Sequence, residues 1–300
     1  MVKNLLHRKN AIKKPVGEKI ADVINYILLF ILSLLFVIPF VYVISISFST
    51  ENAIGLYGIT LFPREFTAEA YTYLFRSGGV ILKAYRNTIF ITVITTVLAV
   101  IVTGGLAYPL SKVKLPFRQV FMYYVLFAML FGGGMIPTYL VITKAYGLKN
   151  SVWAIILPGT YSAWNMIIMK NFFAQLPKDI EEAALIDGAN EIKIFVSIVL
   201  PLSKPIIATV SLFNAVGQWN NWFGPLIYLD NTEFPTIMLF LKGVISSSLN
   251  IGSQFDSTEP PPPQSVQMAT VLACTVPIVC VYPFLQKYFA SGVLVGGVKG

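Results

Sequence analysis

The stretch "IEEAALIDGANEIKIFVSIVLP", Ile180 to Pro201, is the polar exception in an apolar chain. Asp179, Glu181, Glu182, Asp187 and Glu191 sit here among alanines, so the segment is too polar to span lipid. It is also too regular to be a plain linker. Pro177 suits a first helical turn, where its missing N–H costs nothing, and the acidic residues after it favour the positive end of a helix dipole. Gly188 suits a C-terminal stop, because it takes positive φ freely. The pattern predicts a short helix over 178–187, with Ile180, Ala183 and Ala184 on one face. A second helix follows, with Ile192, Phe195, Val196 and Val199 on one face at i, i+3, i+4, i+7. Leu200-Pro201 then turns the chain into an apolar run.

The rest of the sequence frames that exception. Of 300 residues, 56% are hydrophobic and 12% charged, against roughly 25% charged in an ordinary soluble domain. That balance predicts an all-α, polytopic membrane protein in a single domain, 1–300. A spanning helix needs about 20 apolar residues. Six runs meet this, at 24–46, 85–110, 119–142, 152–171, 198–222 and 266–286. The third carries Gly132 to Gly134 and then Pro137, where a kink is expected. The first run is too long for the apolar region of a secretory signal, and no small-residue cleavage site follows it, so it reads as an uncleaved span.

Lysines and arginines set the orientation. The tail 1–23 holds Lys3, Arg8, Lys9, Lys13, Lys14 and Lys19, and the connection after the second run holds Lys112, Lys114 and Arg118. Both read as cytoplasmic, as do the tail 287–300 and the opening stretch. The connections 47–84, 143–151 and 223–265 then face outside. The net charge of +8 fits this loop bias, and nucleic acid is not the partner it suggests. Cys274 and Cys280 lie in one apolar run with no metal spacing, and the single histidine, His7, belongs to the basic tail.

No Asp or Glu falls inside any of the six runs. A proton- or sodium-coupled carrier keeps ionisable or broken-helix ion sites near the midplane, so a self-powered carrier is disfavoured. No GxxxxGK[ST] phosphate loop occurs either. If ATP drives transport, another polypeptide hydrolyses it.

Two polar stripes are candidates for a transport path. In the fifth run Ser211, Asn214, Gln218 and Asn221 fall within about 80° of one face at 100° per residue, and Trp222 joins them. In the fourth, Tyr161, Trp164 and Asn165 share a face. Amides and aromatic rings suit sugars, which offer hydroxyls and apolar C–H faces. The same residues also fit interhelical packing, where buried amides bind neighbouring helices, and tryptophans near an interface serve as anchors. Thr88, Thr92, Thr95, Thr96 and Thr103 in the second run read as packing residues that bond their own carbonyls. The outer loop 223–265 ends in "EPPPPQ", a stiff polyproline spacer, and the loop 47–84 presents Phe62, Phe66, Tyr71 and Tyr73.

Two readings fit the acidic hairpin: an elbow lying on the membrane surface, or a plug for another protein. Surface elbows favour Lys and Arg, and acidic residues are repelled by anionic lipid, so a basic protein groove suits it better. Glu182-Ala183-Ala184, three residues, Gly188, nine residues, Ile198, one residue, Leu200-Pro201 resembles the EAA signature of ABC importer permeases. "DGA" at Asp187 to Ala189 and the C-terminal "YPFLQKYFASGVLVGGVKG" resemble the carbohydrate branch of that family, the maltose-type and oligosaccharide-type permeases. The resemblance implies a type I ABC importer permease fold in a bacterial cell membrane, with both termini cytoplasmic and a coupling-helix hairpin at 178–196. It implies a second permease subunit, a distinct homologue, together with two ATPase subunits that bind ATP and Mg, and an extracellular binding protein that delivers an oligosaccharide. This chain would then hold no cofactor and catalyse no reaction itself. By the same resemblance Glu182, Ala183, Ala184, Asp187, Gly188, Ala189 and Pro201 engage the ATPase: Glu182 as an ion pair, the alanines as the close contact and Gly188 as the turn. A permease for amino acids, metals or oligopeptides stays open at this point, as does an uncoupled facilitator.

Overall fold

The computed structural model describes residues 16–76, 79–230, 233–248 and 263–292. The basic tail through Lys14, the "EPPPPQ" stretch up to Pro262 and the last eight residues lie outside them. The described residues are helical, and their one β-type pairing is an isolated bridge between Ser49 and Phe66.

Among the described residues, three helices are long and apolar enough to cross a bilayer: α1 (Val16–Ser47), α4 (Val80–Ser111) and the apolar part of α15 (Gln264–Gly292). Between α1 and α4 lie the short α2 (Glu51–Tyr57) and α3 (Glu69–Arg76). From Val23 to Phe40, α1 is exposed all round and apolar apart from Asn25 and Ser33. Such a surface is stable only against lipid or another chain.

Two further crossings are bent. α5 (Arg118–Leu130) and α6 (Met135–Leu140), the latter continued by a π-helical turn at Val141–Ala145, meet at 107°. The break falls on the Gly132–Gly134 run, and Gly134 takes φ 81. The second bend, 81°, separates the segment Glu191–Leu202 from α12 (Lys204–Trp219). Pro205 removes a backbone donor in the first turn of α12, and the chain turns at Ser203 (φ −99, ψ 15).

The fourth apolar run differs from the expected continuous span at 152–171. It is two short helices, α7 (Trp153–Gly159) and α8 (Ala163–Phe173). Pro158 and Gly159 end the first, and the hydroxyl of Ser162 caps the second by accepting from the Asn165 N–H at 3.3 Å. Length and composition therefore identify up to five crossings among the described residues. The fifth run also departs from 198–222. Its spanning helix begins only at Lys204 and ends at Trp219, and the short α13 (Phe223–Tyr228) and α14 (Ile237–Ser248) follow it.

The core sits where α4, α8 and α12 meet. Ala107, Tyr108, Met166, Met169, Phe173, Ile194, Val199 and Val210 form its largest buried cluster. Gly104 faces this cluster, where a Cβ would make ordinary contact with the Phe195 ring at 3.5 Å and Met169 Sδ at 3.6 Å. At the other end of α4, Ile81 and Ala84 pack with Trp219, Ile237 and Cys274. The Trp219 indole N–H donates to the Cys274 carbonyl at 3.0 Å.

Candidate functional site: an acidic hairpin and a polar cavity

The hairpin is built from α9 (Lys178–Ile186), α10 (Glu191–Ile194), a π-helical turn at Phe195–Val199 and the short α11 (Leu200–Leu202). α9 ends in a Schellman closure: the Gly188 N–H donates to Leu185 O and the Ala189 N–H to Ala184 O, both at 3.0 Å. Gly188 sits at φ 79 with open space where a Cβ would be. The backbone angle, not crowding, therefore demands glycine. Asn190 starts α10, its Oδ1 accepting from the Lys193 N–H at 2.8 Å.

The motif residues divide between two faces. Glu182, Ala183, Asp187, Gly188 and Pro201 are exposed, together with Ile186. Ala184 and Ala189 are half-buried and pack on this chain's own core. Only Ala183 of the alanine pair is therefore turned outward. The expected apolar face of the second helix is also corrected. Ile192 is 74% and Val196 53% exposed, while Ile194 and Val199 are each 1% exposed. The π-helical turn at Phe195–Val199 inserts extra backbone, and the inward face shifts from a strict 3.6-residue register.

Sequence reasoning missed the groups that tie the hairpin down. The Lys112 ammonium pairs with the Glu181 carboxylate and lies 4.3 Å from the centre of the Tyr108 ring. The Tyr108 hydroxyl donates to Glu191 Oε2 at 2.7 Å. Burial pulls the Lys112 ammonium below the ordinary lysine value, with neighbouring Glu191 opposing the shift. The signal was a basic connection at 112–118 and an acidic hairpin at 179–191 assigned to one side of the membrane.

The second feature is an open cavity of about 490 Å3 beside the break between α7 and α8, in the range of small-molecule sites. Trp164, Asn165, Asn214 and Gln218 line it, with Ser162 and Phe213. Two stripes read separately in the sequence thus meet at one cavity. Asn214 donates through Nδ2 to the Gly159 carbonyl at 2.9 Å, and its Oδ1 accepts from Thr96 Oγ1 at 3.2 Å. Gln218 Oε1 is buried with no hydrogen-bond partner among the described residues.

Four of the proposed path residues do not border this cavity. Tyr161 precedes α8, which begins only at Ala163, so it does not share the helical face of Trp164 and Asn165. Ser211 is half-buried on α12. Asn221 and Trp222 lie beyond the end of α12 at Trp219, so the helical projection that placed them on its face fails there. Asn221 Oδ1 instead accepts from the Gly224 N–H at 2.9 Å. It borders a smaller recess with Thr88, Gln218 and Thr236. Trp222 lies under the Lys242 ammonium, 3.4 Å from the ring centre. The threonines of α4 are mostly buried at helix contacts, but the Thr96 and Thr88 hydroxyls reach neighbouring helices and not their own carbonyls. Thr96 bonds Asn214, and Thr88 Oγ1 accepts from the Ile237 N–H at 2.9 Å. Thr92 and Thr95 bury hydroxyls with no partner among the described residues.

Long apolar helices, bent crossings, a cavity lined by amides and an indole, and an acidic hairpin leading into α12 fit a multi-pass membrane protein of the permease class. Residues 12–295 match the family described as binding-protein-dependent transport system inner membrane component, and the chain belongs to that family. It is 44% identical over 286 residues to the polygalacturonan/rhamnogalacturonan transport system permease protein YtcP of Bacillus subtilis (strain 168), covering 94% of this chain and 99% of YtcP. It is 29% identical over 268 residues to the arabinooligosaccharides transport system permease protein AraQ of Halalkalibacterium halodurans, covering 88% and 91%. The fold is similar, at TM-score 0.82 and 30% identity, to a chain in the crystal structure of a bacterial ABC transporter involved in the import of the acidic polysaccharide alginate. That likeness covers 92% of this chain and 99% of the other.

Proposed function

We propose that this chain is a transmembrane permease subunit of an ATP-driven importer of oligosaccharides, seated in the bacterial cell membrane with both termini cytoplasmic. The observation that carries the reading is the outward face of the hairpin. Glu182, Ala183 and Asp187 stand exposed on a Schellman-closed turn between apolar helical segments, which suits insertion into a basic groove of an ATPase subunit. Two ATPase subunits hold ATP and Mg and carry the hydrolysis; this chain holds neither. A second permease, a distinct homologue, covers part of the apolar surface left open on α1, and lipid covers the rest. α7 and α8 together make the sixth crossing. A binding protein delivers the cargo from outside.

The cargo is an oligosaccharide fragment of a polysaccharide, and acidic fragments fall within its range. The names of the YtcP and alginate relatives support this, as does a cavity lined by amides and an indole with no carboxylate to repel an acidic sugar. The test is to co-express the chain with the ATPase and second permease encoded beside it, and to reconstitute the purified complex with its binding protein. ATP-dependent uptake of oligogalacturonate, exceeding that of maltodextrin, is expected. Uptake without ATP, or failure of any ATPase to co-purify, refutes the reading.

A further inference from the structure

The hairpin reaches the cavity by two routes. The covalent route runs through the π-helical turn at Phe195–Val199 and then the 81° bend at Ser203 before it enters α12. Both are joints at which regular helical bonding is interrupted, so a displacement of the hairpin is absorbed there. The other route is non-covalent and enters α4 directly. Each limb of the hairpin makes its own contact with the end of that helix: Glu181 of α9 with Lys112, and Glu191 of α10 with the Tyr108 hydroxyl. Lys112 also sits on the Tyr108 ring, and that ring packs 4.9 Å from Phe195, so the contacts form one cluster.

From Tyr108, α4 runs unbroken to the cavity. Thr96, on the same helix, bonds Asn214 in the cavity wall. Further along, Asn87 donates to Pro235 O and Thr88 accepts from the Ile237 N–H, which fixes the start of α14. At 1.5 Å per residue the distance from Tyr108 to Thr96 is about 18 Å, and to Thr88 about 30 Å. The neighbouring acidic residues of the motif thus have opposite faces: Glu182 is exposed, and the Glu181 side chain, 18% exposed, turns back to its own chain.

We infer that Lys112 and Tyr108 are positioning residues that clamp both limbs of the hairpin to α4, making that helix the rod by which hairpin movement reaches the cavity wall. The inference rests on the reading of the hairpin as the ATPase contact.

The experiment uses the full complex, with Cys274 and Cys280 replaced by serine and a reporter thiol placed in the cavity wall as Phe213→Cys. Thiol labelling is compared in the nucleotide-free complex and after trapping with ATP and vanadate. In the reporter background, trapping is expected to change the labelling rate about five-fold, the lower end of ordinary inter-site coupling. Lys112→Ala and Glu181→Ala should each shrink that change toward none while ATP hydrolysis persists. The double variant should lose no more than either single, because both remove one contact. Lys112→Arg should retain the change, and Tyr108→Phe, which keeps the ring and removes the hydroxyl, should weaken it in part. The clamp is overturned if the alanine variants keep the full change, if arginine does no better than alanine, or if only thermal stability falls. If Glu182→Lys leaves transport and its coupling to ATP hydrolysis intact, the reading of the hairpin fails instead, whatever the clamp variants do.

Discussion

Asn214 on α12 donates to the carbonyl of Gly159 at 2.9 Å, and so supplies the partner that the broken end of α7 lacks. Pro158 and Gly159 stop the helix inside an apolar layer, where an open carbonyl is costly. The amide of a neighbouring helix meets it and accepts from Thr96 at the same time. Asn214→Leu should therefore act first on stability, lowering it by about 1 kcal/mol, the scale of interhelical polar contacts in membranes. Thermal unfolding of the purified complex checks this; an unchanged midpoint contradicts the role.

Gln218 differs from Asn214 because its Oε1 is buried without a partner among the described residues while the side chain borders the cavity. Gln218→Leu should slow flux about two- to ten-fold, the loss of one ligand hydrogen bond of roughly 0.5–1.5 kcal/mol. The thermal midpoint should stay unchanged. Asn220→Leu is the control, since Asn220 is exposed and its side chain, among the described residues, bonds the Val216 carbonyl of its own helix. Equal flux loss in both variants rejects the assignment of Gln218 to the path.

A methyl group at position 159 has no room. The Cβ of an alanine there would meet the Gln218 amide and would lie 2.7 Å from Thr95 Cγ2. Gly159→Ala should destabilise by about 1–3 kcal/mol, the usual cost of overpacking, and the loss should be smaller when Gln218→Ala accompanies it. The pair of melting curves decides the matter.

Glu182→Lys reverses the charge on the exposed face of α9 while breaking no side-chain bond among the described residues. Transport should be lost and ATPase activity lost or uncoupled, with the helices still folded by circular dichroism. Normal uptake by this variant in vesicles removes Glu182 from the coupling role.

Gly188 at φ 79 separates two substitutions that crowding cannot, since a Cβ there meets nothing within 4 Å. Gly188→Val should abolish transport, because a β-branched residue is an outlier at that angle. Gly188→Asn should keep more of it, as asparagine enters the left-handed region more readily. Equal activity of the two in an uptake assay shows that the turn geometry is dispensable.

The sequence by itself determined the membrane class, the apolar runs and the hairpin, because these rest on composition and on local rules. Proline and glycine mark where a helix stops, and a polar segment cannot enter lipid. The kink at Gly132–Gly134 and the glycine stop of α9 were legible for that reason. The helical projection of the fifth run placed Asn214 and Gln218 on one cavity wall, which Ser211 does not border, and it failed at Asn221 and Trp222 because the helix ends at Trp219. Only the tertiary structure decided what meets across distance. The Pro158-Gly159 break is stable because amides and threonines from α12 and α4 stand beside it. Glu181 and Glu182 are adjacent and chemically alike, yet one faces its own chain and the other solvent, since only one of them has Lys112 within reach. Periodicity assigns a residue to a face of its own helix. Which helix that face then meets is a property of packing, and packing is set by all the helices together.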